Sequence, residues 1–167
     1  PAETHFKRAI ELKPDYTLAK LNYARFLCTR EPLRTAEGES EFQKIAADPA
    51  NAGTTAADAY AGLGLCARSD PTQAETWFRK ALEQNPNNTS ALYGLAELSQ
   101  IQNKTLQGRA FLQRYHGQTR PTPQSLWLGF TIESSSDGDP QLRREYSVVL
   151  SSQFPNSEEA HRLNKRP

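Results

Sequence analysis

Between Gln73 and Pro86 the chain reads QAETWFRKALEQNP. Its small and apolar positions fall on one helical stripe, with Ala74, Phe78 and Ala81 at i, i+4 and i+7 and Pro86 at i+12. The spacing predicts a helix with one buried face that has ended before the proline, whose ring cannot continue it. Ala2, Phe6, Ala9 and Pro14 repeat the same offsets at the start of the chain. Further copies follow: Pro14, Pro49, Pro86, Pro121 and Pro155 are separated by 35, 37, 35 and 34 residues, and Phe6, Phe42 and Phe78 by 36 and 36. Ala9, Ile45, Ala81, Tyr115 and Leu150 keep the same beat. A second helix ahead of each stop is marked by an apolar residue followed by a small one, at Tyr23-Ala24, Leu63-Gly64, Leu95-Ala96 and Leu128-Gly129.

A period of about 34 residues holding two helices resembles the tetratricopeptide repeat. The resemblance implies an all-α fold, a right-handed superhelix of antiparallel helix pairs in which each pair buries its apolar face only against its neighbours. On that reading residues 1–14 are the second helix of a truncated repeat, residues 15–49, 55–86 and 87–118 are repeats, residues 122–155 are a degenerate repeat and residues 156–167 are a capping helix. The stripe of Phe6, Ala9 and Ile10 lacks its partner helix, so a dimer through the N-terminal helix is one way to cover it. Asp15 is read as a helix cap, Pro32 marks a turn, and DPANAGTT (48–55) lengthens the next junction. Asp70-Pro71 has the cap-then-proline order that opens a helix. Gly108 and Leu112 stand where Ala and Phe are expected, and Arg143 where a small residue is expected.

Composition narrows the function classes. A net charge of +1 with mixed signs argues against a nucleic-acid-binding arm, and 37% hydrophobic residues with a mean hydropathy of -0.73 suit a thin, high-surface architecture. No run approaches the roughly 18 apolar residues of a membrane span, and no secretory signal is present. The chain opens on Pro1 inside a repeat, which reads as a processed or trimmed fragment. His5, His116 and His161 lie on different repeats without a second ligand at metal spacing, and are read as surface residues. Ser134 to Ser136 have no GxSxG context, no glycine-rich loop precedes a helix, and Glu158 and Glu159 suit a helix start. The expectation is a non-enzymatic protein with no cofactor or metal.

The two cysteines say more. Cys28 ends one first helix (FLCTR) and Cys66 the next (GLCARSD). Successive first helices of such a stack pack side by side, and a disulfide needs Cα atoms about 5.5–6 Å apart. The bond would be worth about 4 kcal/mol in the chain-entropy model and would imply an oxidising compartment. The other reading is two buried free thiols packed as small hydrophobes. The disulfide is favoured, because the helices are neighbours and equivalent and no third cysteine competes.

Several stretches carry a narrower resemblance. LNYARFLCTR, a long junction, AYAGLGLCARSDPTQAETWFRKALEQNP, ALYGLAELSQ, and finally SLWLGFTIE with QFPNSEEAHRL are similar to the middle and closing repeats of the PilF/PilW family of type IV pilus pilotins. This resemblance covers Ala2 to Leu163. It implies a protein on the periplasmic face of a Gram-negative outer membrane, held by an N-terminal lipid anchor absent from this chain. It also implies as partners the secretin PilQ, whose localisation and multimerisation the family promotes, and other pilus assembly proteins.

Repeat geometry places the partner surface on the concave side of the first helices, and Leu18, Leu21, Arg25, Leu65, Tyr93, Glu97, Leu126 and Phe130 are its candidates. The competing reading is a cochaperone or adaptor that clamps a peptide's terminal carboxylate. Asn22 suits such a clamp, but Gly62, Ser90 and Gly94 stand where its polar or basic residues are needed, and a carboxylate without paired donors binds poorly.

Overall fold

The computed structural model describes residues 2–30 and 34–165, so the turn expected at Pro32 lies outside the described residues. Ten α-helices and no strand occur among them. They are α1 (Ala2–Leu12), α2 (Thr17–Thr29), α3 (Thr35–Ala47), α4 (Thr54–Cys66), α5 (Pro71–Gln84), α6 (Thr89–Ile101), α7 (Thr105–His116), α8 (Pro123–Ile132), α9 (Pro140–Gln153) and α10 (Glu158–Asn164). The chain forms two compact units, residues 1–94 and 95–167, and the division falls within α6.

Local chemistry sets most helix starts. Asp70 accepts from the backbone N–H groups of Thr72 and Gln73, both at 3.1 Å, and Asp139 does the same for Gln141 and Leu142. Thr122 and Ser125 form a reciprocal capping box, and Ser157 caps α10. Pro71, Pro123 and Pro140 each follow a cap at the first helical position, where no N–H is needed. Asp15 is not a cap: Tyr16 occupies that place at α2 with no side-chain bond. The long junction after α3 is partly ordered, because Asp48 caps a short 3-10 turn at Pro49–Asn51 and Gly53, at φ 81°, turns the chain into α4.

In unit 1, α2 packs on α1, α3 and α4, and α4 on α3 and α5. The core joins Leu21, Ala24, Cys28, Phe42, Ile45, Ala59, Leu63 and Cys66. Its packing rule is an aromatic ring set against a bare backbone. The Phe42 ring of α3 occupies the space a side chain at Gly62 would need, and the Phe78 ring of α5 does so at both Gly64 and Gly94. This is why the periodic aromatic and small positions recur together.

The first helix is held differently. Phe6 sits half-buried with its ring 6.2 Å from that of Tyr23 and 5.8 Å from that of Phe26. Glu3 Oε1 accepts from Arg34 Nη1 at 2.7 Å, Lys7 Nζ at 2.9 Å and Tyr23 Oη at 3.0 Å. The Arg34 bond first, then that of Lys7, holds the Glu3 carboxyl down at about 2. Leu12, at the end of α1, is left 69% exposed.

In unit 2, α8 packs against α7, α9 and α10, and α10 also touches α9. Leu126, Leu150 and Ala160 form a core lined by Trp127, Tyr146, Val149, Phe154 and Leu163. The ring-on-glycine contact reappears with Tyr146 against Gly129. Gly108 and Leu112 are buried, and a side chain at Gly108 would press on Ile132. Arg143, at the expected small position, is exposed.

Candidate protein-binding surface

On α2, Leu18, Asn22, Arg25 and Thr29 stand at i, i+4, i+7 and i+11 and are all exposed, so they share one solvent-facing stripe. Leu21 leans off that stripe into the core, with 8% exposure, and so is removed from the surface candidates. On α4, Leu65 is half-buried while its neighbours Gly64 and Cys66 are buried. Tyr93, the last candidate of unit 1, is half-buried on α6.

The disulfide fixes part of this face. Cys28 and Cys66 are bonded, with Cα atoms 5.1 Å apart, and neither is more than 9% exposed. The bond ties α2 to α4 across the core rather than at a loop. Gly38 of α3 lies against Cys28 Sγ, at the place in its helix that Ala74 holds in α5, so the disulfide uses the space the repeat reserves for a small residue.

In unit 2 the candidates divide again. Leu126, at 2% exposure, is core and not surface, since it packs with Leu150 and Ala160. Phe130 is half-buried and stacks on Trp127 with ring centroids 5.5 Å apart, and Glu97 is half-buried.

Two polar groups of unit 2 make contacts that the sequence did not foretell. Glu133, with its side chain 1% exposed, takes a two-pronged pair of bonds from Arg109, Nε to Oε1 at 2.7 Å and Nη2 to Oε2 at 2.6 Å, and accepts the Asp139 N–H at 2.7 Å. That one carboxylate joins α7, the end of α8 and the start of α9. Its only sequence signal is an acid closing an otherwise apolar helix. His116 is the other: half-buried rather than on the surface, it places Nε2 2.9 Å from Ser125 Oγ and its ring 6.1 Å from that of Tyr146. Burial pulls its pKa below the ordinary histidine value. His5 and His161 are exposed, as expected.

The Ser125–His116 pair has the atoms of a nucleophile and base, but Ser125 is fully buried and its hydroxyl is spent on the capping box and on His116. It caps the start of α8. No cluster of three or more His, Cys, Asp or Glu side chains suited to a metal occurs among the described residues. No helix among them is long and apolar enough to cross a membrane. The terminal-carboxylate clamp fails on packing: the places of Gly62 and Gly94 are taken up by phenylalanine rings, leaving no room for polar side chains there.

Helix pairs, ring-on-glycine packing and an exposed first-helix stripe give an all-helical fold like that of tetratricopeptide repeats. The family model of the tetratricopeptide repeat matches residues 77–110. Among solved structures, the chain is similar to PilW, described as a widely conserved type IV pilus biogenesis factor, at 28% identity and a TM-score of 0.77, over 98% of this chain and 74% of that one. It is also similar in fold to PilF of Pseudomonas aeruginosa, at 21% identity and a TM-score of 0.77, over 98% of this chain and 72% of that one. Comparison with curated proteins gives no match.

Proposed function

We propose that this chain is a non-enzymatic scaffold of type IV pilus assembly that acts as a pilotin, promoting outer-membrane localisation and multimerisation of the secretin PilQ. The observation that carries the reading is the likeness to PilW over 98% of the chain, in sequence as well as fold. The repeat division at 15–49, 55–86, 87–118 and 122–155 supplies first helices whose outward residues hold the partner. The Cys28–Cys66 bond supports an oxidising compartment, since such bonds are rare where thiols are kept reduced. Together these favour the periplasmic face of the outer membrane as the site of action.

Affinity capture of the secretin from detergent-extracted envelopes, with this protein as bait, tests the reading. Recovery of the secretin above the level given by an unrelated tetratricopeptide-repeat protein is expected. Equal recovery with both baits contradicts the assignment.

A further inference from the structure

The hairpin of α4 and α5 fills a place that the hairpin of α2 and α3 leaves open. In the first, the rings of Tyr60 and Trp77 stack with centroids 6.0 Å apart and 15° between their planes. Lys80 Nζ lies 4.7 Å from the Trp77 ring centroid and 6.0 Å from that of Tyr60. Both rings also pack on the core around Phe42 and Leu63. The repeat puts Phe42 in the place of Phe78 and Ala24 in that of Gly64, so Glu41 stands for Trp77, Lys44 for Lys80 and Lys20 for Tyr60. The cation is kept and both rings are gone.

Lys20, Glu41 and Lys44 line one cavity of about 440 Å³ between the start of α2, the end of α3 and the 3-10 turn. That volume lies within the range of clefts that hold small ligands. Ile45 and Ala50 give it apolar wall, and Asp15 and Asp48 also line it. Most of its charge is already engaged: Glu41 is paired with Lys44 at 2.6 Å, and Asp48 accepts the Ala50 N–H at 2.9 Å. Lys20, half-buried, and Asp15, exposed, remain, and among the described residues neither side chain makes a hydrogen bond or ion pair. They are opposite in sign, so an ionic occupant is drawn to one and repelled by the other.

The geometry points to an aromatic side chain of a partner protein, an indole or a phenol, as the occupant of this cavity, its ring taking the place that Tyr60 and Trp77 fill in the next hairpin. Such a ring buries apolar surface against Ile45 and Ala50. Its face gives the Lys20 ammonium the cation–π partner that Lys80 has and Lys20 lacks. Its N–H or O–H can donate to the Asp15 carboxylate. An aliphatic side chain supplies only the first of these. The cavity uses neither Leu18 nor Arg25 of the outward α2 stripe, so the inference does not rest on the pilotin reading.

The test titrates isotope-labelled protein with N-acetyl-tryptophanamide and N-acetyl-leucinamide and follows the amide chemical shifts. The tryptophan probe should move the amides of Lys20, Glu41, Ile45 and Asn51 with a Kd of about 1–10 mM, and the leucine probe should bind at least about tenfold more weakly. K20Y combined with E41W rebuilds the ring stack of the next hairpin inside the cavity, and should abolish binding of the probe without lowering the melting temperature. K20S keeps the cavity but removes the cation, and should weaken the tryptophan probe about two- to fivefold while leaving the leucine probe unchanged. Shifts that are absent or scattered over the molecule, equal affinity for the two probes, or undiminished binding in the folded double variant overturns the proposal. Should circular dichroism show that the double variant has lost its helices, K20S decides: unchanged affinity for the tryptophan probe overturns the proposal, and the selective loss upholds it.

Discussion

The ring of Phe78 occupies the place of a side chain at Gly94. A Cβ built there would lie 2.6 Å from Cε2 and 2.8 Å from Cε1, and one at Gly64 would lie 2.6 Å from Cε1. One ring is thus clasped by two bare helix backbones, and neither glycine can gain a side chain while the ring stays. Gly94→Ala should destabilise by about 1–3 kcal/mol through overpacking, less whatever the better helix propensity of alanine returns, up to about 1 kcal/mol. Phe78→Ala should cost about 3–5 kcal/mol. In the Phe78→Ala background the alanine at 94 should lose its penalty. Urea unfolding of the four proteins reads this coupling, and strictly additive effects would contradict the contact.

Oxidation state should matter to stability. Native protein unfolded in denaturant without reductant should yield no thiol to a colorimetric reagent. Reduction, or Cys28→Ser with Cys66→Ser, should lower unfolding free energy by up to about 4 kcal/mol. Gly38→Ala should destabilise in both states, because its Cβ would also come within 2.8 Å of the Ala24 carbonyl oxygen, a backbone atom that cannot swing away.

Glu133 is the polar pin of unit 2. Glu133→Ala leaves the partly buried Arg109 and the Asp139 N–H without their acceptor, and should cost about 3–5 kcal/mol. Glu133→Gln keeps an acceptor for the backbone but gives up the charge, and should cost less. Thermal unfolding of both variants checks the order, and a reversed order would contradict the account.

Acid should weaken the fold in two stages of the same sign. His116 is held below its ordinary value by burial, so from pH 6.5 downward the unfolded chain takes up a proton that the folded one resists, and stability falls. Glu3 is held down at about 2 by Arg34 and Lys7, so its contribution is complete above pH 4.5 and is lost as pH falls from there towards 2. In His116→Gln the upper stage should disappear while the lower one stays. Melting temperature followed against pH in both proteins measures it.

The repeat itself was legible because its two helices carry fixed, local signals. The Phe42 and Phe78 beat, the small residues at Ala24 and Gly64, and caps such as Asp70 with Pro71 each follow from neighbours a few residues away. The cysteine pairing was legible because both cysteines lie near the ends of neighbouring first helices and no third competes, although they stand four and two residues past the small residues Ala24 and Gly64. Surface and core were harder to separate on a first helix. Leu21 and Leu126 were read as partner contacts and are core, because each sits on the flank that the adjacent helices cover. His116 was read as a surface residue and Glu133 was missed, because their partners, Ser125 and Arg109, lie in other helices and share no motif with them. Tyr146 takes the aromatic role in α9 although the comb of Phe6, Phe42 and Phe78 falls away there, and it does so because Gly129 still offers a bare backbone.

The most direct measurement is the fraction of secretin present as assembled ring in outer-membrane preparations from cells lacking this protein, before and after the native gene is restored. The account predicts that the ring is depleted, with secretin monomer accumulating, and that the restored protein returns it. Rings at normal abundance and location in the deleted cells would contradict the pilotin role.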